Sequence, residues 1–530
     1  METRNIWFSF ILILLVHHNT LAQNICPVIP LPLHYEQGKD VFEINKGTSI
    51  IIKDTSLYAL AFFLQKSLKQ YYKEGTTKIG DKKKSNSIKL EKKNSSYNGE
   101  AYSIKMTKRS IVISAANQEG IFDGIITLLQ MIKQSPAKKS GIRLSCWNIQ
   151  DTARFKWRGL MLDESRHFFG EKTVKMIMDW MAFYKLNRFH WHLTDEPGWR
   201  FEIKQYPRLT SIGGIDNPSD PASPSEYYTD SDIKEIVNYA RERYITIIPE
   251  IDMPGHATAA NRAYPEFSGG GTGRFANFTF NPGKNETYSY LTNILRGTAE
   301  LFPSKMIHLG GDEVALGSKS WKNNPEVKKL MSQEKLANIK SVEFYFIHRM
   351  TDSALKIYNK VCFWDEAVDA SLPVDSTIIF WWRHDLTGQL TKALQKGYDV
   401  VLCPRIPLYF DFVQDSTHHQ GRKWNGDFSS LDRAYHFPDK QIDSIVWNNN
   451  HVLGIQANLW TEDTRTVKRL EFLLFPRIAA LSEAAWTKPA DKNYQQFLSR
   501  LKSHLMFYQN AGIYYYNPFD PDKTPEIIDK

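Results

Sequence analysis

An alternation of short apolar runs with amphipathic stretches, which continues from Phe155 almost to the end of the chain, constrains the fold most strongly. Eight of the runs have the length of a buried strand. Because strands that alternate with helices form parallel sheets, the pattern predicts an α/β fold of the (β/α)₈ barrel type. The predicted strands are 157–162, 188–193, 245–251, 306–309, 361–364, 377–382, 400–402 and 452–459, and the predicted helices include 171–184, 231–243, 341–358, 387–395, 466–480 and 494–509.

The structural alternative to the barrel is an open, doubly wound sheet. That fold places a glycine-rich nucleotide loop after its first strand, whereas this chain has Leu162-Asp163-Glu164 there. We therefore predict that residues 152–530 form the barrel domain, with a C-terminal helix and a loose tail after Pro518.

The preceding residues, 23–151, have the pattern of a small α+β domain. Strands are predicted at 48–53, 101–106 and 110–114, and an amphipathic helix at 120–132. This segment offers no cluster of chemically reactive residues, so we expect it to act as a scaffold or a docking domain.

Residues 1–22 resemble a secretory signal peptide. Arg4 supplies a basic start, residues 6–16 an apolar core, and Thr20-Leu21-Ala22 a small-residue cleavage site. The apolar run is too short to span a bilayer, and no later stretch is a candidate membrane helix. We predict export to the periplasm or the medium.

Composition and charge exclude several other classes of protein. The apolar fraction is 42% and the charged fraction 24%, which excludes a disordered chain. Much of the net charge of +9 comes from residues 78–93, but no recognised nucleic-acid module accompanies them, so we expect no nucleic-acid partner. The four cysteines form no C-x-x-C pair, which disfavours a zinc or redox site.

The fourth predicted strand ends in the run Gly310-Gly311-Asp312-Glu313. Glycines let the backbone turn sharply and let a ligand approach closely. Two neighbouring acids cannot both ionise freely, so one keeps its proton to higher pH than the other. Such a pair can hold a proton donor beside a fixed negative charge near neutral pH.

The chemistry of this type of barrel lies at the C-terminal ends of its strands. Those positions carry carboxylates, an arginine, a tyrosine and several tryptophans. Together they suit a sugar, which needs acids at the glycosidic bond and aromatic rings against its CH face. Because adjacent strand residues face opposite ways, only one of Trp381 and Trp382 can line the site, and the Trp-Arg pairing favours Trp382.

Two alternative interpretations use the same strand ends. His190 and His192 share one strand face and, with His256, His308 and Asp195, suggest a metal-dependent barrel of the amidohydrolase type. A non-catalytic glycan-binding protein would explain the tryptophans but not the adjacent acids. We expect no metal and no cofactor, because histidines also pack and hydrogen-bond within acid-rich sites.

Several motifs, in order, resemble glycoside hydrolase family 20, the β-N-acetylhexosaminidases. They are His308-Leu-Gly-Gly-Asp-Glu-Val314, Arg158-Gly-Leu-Met-Leu-Asp163 with Ser165-Arg-His167, Phe189-His-Trp-His-Leu-Thr-Asp195 and Pro249-Glu-Ile-Asp-Met-Pro-Gly-His256. The resemblance covers nearly the whole chain after the signal. It implies exo-acting, retaining cleavage of terminal β-linked GlcNAc or GalNAc from a glycan, and it leaves the oligomeric state open.

The resemblance also implies roles for individual residues. Glu313 would be the general acid and base, and Asp312 would hold the substrate's 2-acetamido group while its oxygen attacks the anomeric carbon to form an oxazolinium intermediate. Tyr409 would hydrogen-bond the acetamido oxygen. The residues expected to bind the substrate or support the acid pair are Arg166, Asp195, His256, Trp364, Trp382, Asp411, Trp460 and Glu462.

Overall fold

A computed structural model of the chain describes residues 25–72, 78–81, 85–93, 99–138, 141–215 and 223–529. It contains an N-terminal α+β domain followed by a closed (β/α)₈ barrel, so the predicted fold class is confirmed. The predicted signal peptide, residues 1–22, lies outside the described residues.

The N-terminal domain is a mixed sheet with two helices on one face. The strands are β1 (His34–Ile44), β2 (Ser49–Ile52), β3 (Lys78–Gly80), β4 (Ser87–Lys92), β5 (Tyr102–Thr107), β6 (Ser110–Ala115), β7 (Ala137–Lys138) and β8 (Gly141–Asp151). They follow the order β1-β8-β5-β6-β4-β2-β3 in the sheet, and β7 pairs with β8. The helices are α1 (Tyr58–Tyr71) and α2 (Gln118–Lys133), and α2 buries an almost continuous apolar surface.

Eight parallel strands close the barrel, and each predicted barrel strand is present within about two residues of its predicted bounds. A two-stranded hairpin, β12 (Ser268–Thr272) and β13 (Phe275–Phe280), projects from the loop after the third barrel strand. The barrel strands are β9 (Trp157–Asp163), β10 (Arg188–His192), β11 (Thr246–Glu250), β14 (Met306–His308), β15 (Lys360–Trp364), β16 (Thr377–Trp381), β17 (Asp399–Leu402) and β18 (Val452–Leu459).

Helices surround the barrel and pack their apolar faces on it. The predicted helix 466–480 is two helices, because Pro476 has no N–H to continue the first one. The helices are α3 (Gly170–Phe183), α4 (Arg208–Ser211), α5 (Asp230–Arg241), α6 (Thr258–Ala263), α7 (Asn285–Leu301), α8 (Pro325–Gln333), α9 (Ile339–Leu355), α10 (Thr387–Gln395), α11 (Arg405–Leu408), α12 (Leu431–His436), α13 (Ser444–Trp447), α14 (Val467–Leu474), α15 (Arg477–Trp486) and α16 (Tyr494–Asn510).

The two domains meet at the amino-terminal end of the barrel strands. Arg158, at the start of β9, donates to Glu100 of the N-terminal domain over 2.6 Å, and Asn187, just before β10, donates to the same carboxylate over 3.0 Å. Because catalytic sites of such barrels lie at the opposite end, the N-terminal domain supports the barrel from below.

The C-terminal tail is bound to the barrel, and the prediction of a loose tail is wrong. Glu526 accepts hydrogen bonds from the backbone N–H groups of His419 and Gln420, and Asp529 accepts from those of Arg465 and Thr466. The two acidic side chains satisfy backbone donors of surface loops, which a composition-based reading of the tail does not reveal.

All four cysteines are buried free thiols. Cys362 and Cys403 lie in the apolar interior of the barrel beside Trp364 and Phe380, where they pack as small hydrophobic residues. Within the described ranges, every helix is too short or too polar to cross a bilayer.

Candidate active site

A cavity of about 330 Å³ opens at the C-terminal end of the barrel strands. It is lined by ten of the eleven predicted site residues together with five others: Arg166, Asp195, His256, Asp312, Glu313, Trp364, Trp382, Tyr409, Trp460 and Glu462, and in addition Arg405, Phe412, Arg422, Lys423 and Trp424. A larger groove of about 680 Å³ lies between α10 and residues 427–446, but it contains neither acid of the Asp312-Glu313 pair.

The turn after β14 presents the acid pair. Gly310 and Gly311 both have positive φ, and a Cβ on Gly310 would collide with the Asp252 carboxylate at 1.8 Å. Glu313 itself is held in the left-handed region at φ 48°. A non-glycine residue in that region costs free energy that the surrounding packing must offset, which is a common feature of functional sites.

The two acids of the pair have different environments. Burial, reinforced by the nearby negative charge of Asp252, raises the pKa of Asp312 well above its ordinary value. Burial also raises the pKa of Asp252, to about 7. The Glu313 side chain, by contrast, is 46% exposed and faces the mouth of the cavity. One acid therefore lies inside the cavity with a raised pKa, while the other meets the solvent.

His256 connects the acid pair to a chain of buried charges. Its Nδ1 lies 2.9 Å from Oδ1 of Asp195, and its Nε2 lies 3.6 Å from Asp312 and 3.7 Å from Glu313. Burial alone would lower the pKa of His256, but the charges of Asp195 and Asp312 outweigh it and raise the pKa well above its ordinary value. A charged imidazole therefore faces both acids.

Asp195 is the centre of this chain. Its Oδ2 lies 2.7 Å from Arg166 Nη2 and 2.9 Å from His192 Nε2. Burial alone would raise the pKa of Asp195, but Arg166 and His256 hold it well below its usual range. Arg166 is in turn fixed by Asp163 at 3.3 Å and lies over the Trp460 ring at 5.1 Å.

The three predicted tryptophans and Tyr409 form part of the cavity wall. The rings of Trp382 and Tyr409 lie almost parallel, with 11° between their planes, and Trp460 lies about 6 Å from both Tyr409 and Trp364. Trp382 is held by an indole N–H donated to Glu366 over 3.0 Å. Trp381 instead packs on the outer side of the barrel, so Trp382 is the member of that pair in the cavity.

Asp411 lies behind the rim of the cavity and is absent from its wall. Its carboxylate is buried, Arg422 Nε lies 3.5 Å from it, and no side chain of the described residues hydrogen-bonds either oxygen. Burial raises the pKa of Asp411 to about 7. Arg422 also donates to Glu462 over 2.7 Å, so this one arginine lies against both Asp411 and Glu462.

Sequence reasoning missed Phe412, Lys423 and Trp424 as wall residues. They belong to the long excursion after β17, which returns to the cavity through contacts such as the stacking of Arg405 on Trp424 at 3.8 Å. No strand-end position marks them, and an aromatic residue beside Arg422-Lys423 in a polar loop was the one available signal.

Among the residues that the structure describes, three groups of acids and histidines are close enough to hold a cation: His190 with Glu250 and His308, Asp195 with Asp252 and His256, and His256 with Asp312 and Glu313. In the first group both Glu250 oxygens already accept N–H donors. In the second, both Asp195 oxygens are likewise occupied by Arg166 and the imidazoles. The donor sets of these first two groups fit hydrogen-bonded networks better than metal coordination.

A closed parallel barrel whose strand ends carry an acid pair within an aromatic cavity belongs to the class of glycosidase barrels. Residues 155–489 match the family described as glycosyl hydrolase family 20, catalytic domain, and residues 26–152 match glycosyl hydrolase family 20, domain 2. The chain belongs to glycosyl hydrolase family 20.

Relatives named β-hexosaminidase support this assignment. A Porphyromonas gingivalis β-hexosaminidase is 31% identical over 93% of this chain, and this chain spans 64% of that relative, which is less than two thirds of its length. A Vibrio furnissii β-hexosaminidase is also 31% identical, over 86% of this chain and 76% of its own length.

Solved structures share the architecture. A Vibrio harveyi exo-β-N-acetylglucosaminidase, solved with N-acetylglucosamine, superimposes with a TM-score of 0.83 at 30% identity, covering 94% of this chain and 79% of that one. A Bacteroides fragilis β-N-acetylhexosaminidase superimposes with a TM-score of 0.79 at 28% identity, covering 92% of this chain and 96% of that one.

Proposed function

We propose that this protein is an exo-acting, retaining β-N-acetylhexosaminidase that releases terminal β-linked GlcNAc or GalNAc from glycans. The observation that carries the proposal is the different environment of two consecutive acids in an aromatic cavity: buried Asp312, whose pKa is raised by burial, beside exposed Glu313. The names of the relatives agree with this substrate class.

In this mechanism Glu313 protonates the leaving oxygen and then activates water. Its position at the mouth of the cavity suits a group that must meet first the leaving sugar and then solvent. General acid–base catalysis by such a group contributes about 10²–10⁴-fold to the rate. His256, at 3.7 Å, orients this carboxylate through its own bond to Asp195.

Asp312 acts on the substrate's acetamido group and not on the anomeric carbon. The Asp312 carboxylate accepts the acetamido N–H, and as the acetamido oxygen attacks, the positive charge that develops on the ring nitrogen strengthens this bond without any proton leaving Asp312. The interaction is therefore stronger in the transition state than in the ground state, which is the condition for catalysis. Tyr409, across the cavity, donates its hydroxyl proton to the acetamido oxygen.

The opposite end of the cavity binds the hydroxyl groups of the terminal sugar. Arg166 and Glu462 lie 3.9 Å apart there. Asp411 lies behind the rim beside Arg422, and a sugar that displaces Arg422 would reach its two buried oxygens, which no side chain among the described residues hydrogen-bonds. Buried polar groups are normally hydrogen-bonded, so sugar hydroxyls are the expected partners. Arg422 and Glu462 form an ion pair at this end, which suits the binding of a chain terminus and therefore exo action.

The test is hydrolysis of aryl β-GlcNAc and aryl β-GalNAc, with the matching α-anomers as controls. We expect both β-glycosides to be cleaved and both α-glycosides to be resistant. Equal cleavage of the α-anomers, or no cleavage of either β-substrate by the folded protein, would overturn the proposal.

Export to the periplasm or the medium is part of the proposal and rests on residues 1–22. Amino-terminal sequencing of the mature protein should find a start just after Ala22. A mature chain that retains Met1 in the cytoplasm would contradict export.

A further inference from the structure

Glu250, the last residue of β11, is fully buried beneath the cavity and is contacted by four N–H groups or imidazole nitrogens. Its Oε1 accepts from the Trp364 indole at 2.8 Å and lies 2.9 Å from His308 Nδ1. Its Oε2 lies 2.5 Å from His192 Nδ1 and 3.0 Å from His190 Nε2. A buried carboxylate is tolerated only when it is paired and hydrogen-bonded, and these contacts meet that condition.

We propose that Glu250 is a positioning residue that fixes two separate parts of the active site from below: the His192–Asp195–His256 chain through Oε2, and the Trp364 wall through Oε1. Within the described part of the chain, the hydrogen bonds that join these two parts all pass through the Glu250 carboxylate. The inference rests on the proposed function, because the two parts act on the acid pair and on the acetamido pocket of that reaction.

The first arm is a chain of alternating carboxylates and imidazoles. His192 donates from Nδ1 to Glu250 and from Nε2, over 2.9 Å, to Asp195. Asp195 in turn lies 2.9 Å from His256, which faces the acid pair. A histidine that donates from both nitrogens must carry a positive charge, so Glu250 fixes the charge state of His192 as well as its ring orientation.

The second arm fixes the Trp364 ring. The Trp364 side chain is 1% exposed, and its ring packs on His308 at 4.8 Å and on Trp460 at 5.9 Å. Packing alone restricts the plane of the ring. The hydrogen bond from the indole N–H to Glu250 determines which edge of the ring faces Glu250 and which faces the cavity. The position of the Trp364 ring in the cavity wall should therefore depend on the Glu250 carboxylate.

The charged groups around this network are numerous, and the expected pH effect must take all of them into account. Burial alone would raise the pKa of Glu250, but His308 and His192 outweigh it and hold the pKa well below its usual range. Burial lowers the pKa of His190 to about 4, so that ring stays neutral. The titratable groups that face His192, Asp195 and His256 are Asp163, Arg166, Glu196, Glu250, Asp252, Asp312 and Glu313.

Glu250→Gln separates the two arms. The amide oxygen can still accept from Trp364, whereas the amide N–H₂ faces His192 and can bond only to a neutral ring. Asp195 then loses the positive charge at 2.9 Å, so its pKa rises and the network breaks at a less acidic pH. We expect the acid limb of the kcat/KM profile to move to higher pH and kcat to fall about tenfold or more.

Trp364→Phe removes only the indole N–H and should give the complementary result. KM should rise and a thiazoline mimic of the cyclised intermediate should bind more weakly by calorimetry, with the acid limb unchanged. Glu250→Asp, which restores the charge, should restore the limb in part. Glu343→Gln is the matched control, because this buried acid on α9 pairs with Lys340 away from the cavity and should leave both readouts unchanged.

If Glu250→Gln does not fold, His192→Gln cuts the same chain one residue further on and should move the acid limb in the same direction. A folded Glu250→Gln or His192→Gln with a wild-type pH profile would overturn the inference. ¹⁵N NMR of the His192 ring tests the link between Glu250 and His192 without measuring turnover. We expect the ring to be doubly protonated at neutral pH in the wild type and neutral in Glu250→Gln. If the wild-type protein itself did not hydrolyse the substrate, that result would contradict the proposed function and would leave the NMR test of the Glu250 link standing.

Discussion

Asp312 and Glu313 are neighbours in the chain, yet the side chain of Asp312 is 13% exposed and that of Glu313 is 46% exposed. The left-handed backbone at Glu313 turns the second carboxylate out toward the mouth while the first stays against Asp252 and His256. Consecutive residues thus supply one enclosed carboxylate and one that faces the solvent. Such a pair serves a reaction in which only one acid exchanges protons with the leaving group.

Replacing the exposed acid tests its proposed role. Glu313→Gln should lower kcat for aryl β-GlcNAc by about 10²–10⁴-fold, because the amide cannot donate a proton to the leaving oxygen. Thermal unfolding should be almost unchanged, since the side chain is half exposed. Glu334→Gln, at an exposed position outside the cavity, is the control. Near-normal turnover in folded Glu313→Gln would remove this residue from the mechanism.

Asp411 makes a prediction about stability that does not depend on turnover. Burial raises its pKa to about 7 in the folded protein, whereas the unfolded chain has an ordinary aspartate. A raised pKa gives stability that is fully present below the unfolded value and is lost as pH rises through the folded one. The loss is about 1.4 kcal/mol per pH unit within that window.

Asp411→Asn removes this dependence. The free energy of unfolding of the variant relative to wild type should therefore increase as pH rises from about 4 to about 7 and then level off. Urea titrations at several pH values measure it. A difference that stays constant with pH would mean that Asp411 is already ionised in the folded protein, with Arg422 as an effective partner.

The barrel could be predicted because its strands are buried on both faces and therefore read as continuous apolar runs. The acid pair and its supporting motifs could be found because polar residues follow the apolar runs abruptly where the strands end, as they do after His308 and after Trp364. Strand alternation and the Trp-Arg pairing also favoured Trp382 over Trp381, and the structure places Trp382 in the cavity.

Other features depend on tertiary contacts that leave no local pattern. Trp424 reaches the cavity because the excursion after β17 folds back and stacks on Arg405. Arg422 covers Asp411 and Glu462 through a similar return, so the partners of Asp411 could not be deduced from the sequence. Glu526 and Asp529 bind the tail through backbone donors of surface loops. The roles assigned to the individual site residues remain predictions.

The metal-dependent alternative predicts sensitivity to chelators. We expect dialysis against EDTA to leave hydrolysis unchanged, because both Asp195 oxygens and both Glu250 oxygens are already occupied by N–H donors or charged nitrogens. Metal analysis of the same sample provides the control. Activity that is lost on dialysis and restored by a divalent cation would favour the alternative.

The central claim is that the substrate's own acetamido group, held by Asp312, is the nucleophile. The most direct measurement compares aryl β-GlcNAc with the matching aryl β-glucoside and follows the first-formed sugar by ¹H NMR. We predict that GlcNAc is released first as the β-anomer, that the glucoside is scarcely cleaved, and that no sugar becomes attached to the protein. Comparable cleavage of the glucoside, an initial α-anomer, or a covalent glycosyl adduct on Asp312 detected by mass spectrometry would contradict the account.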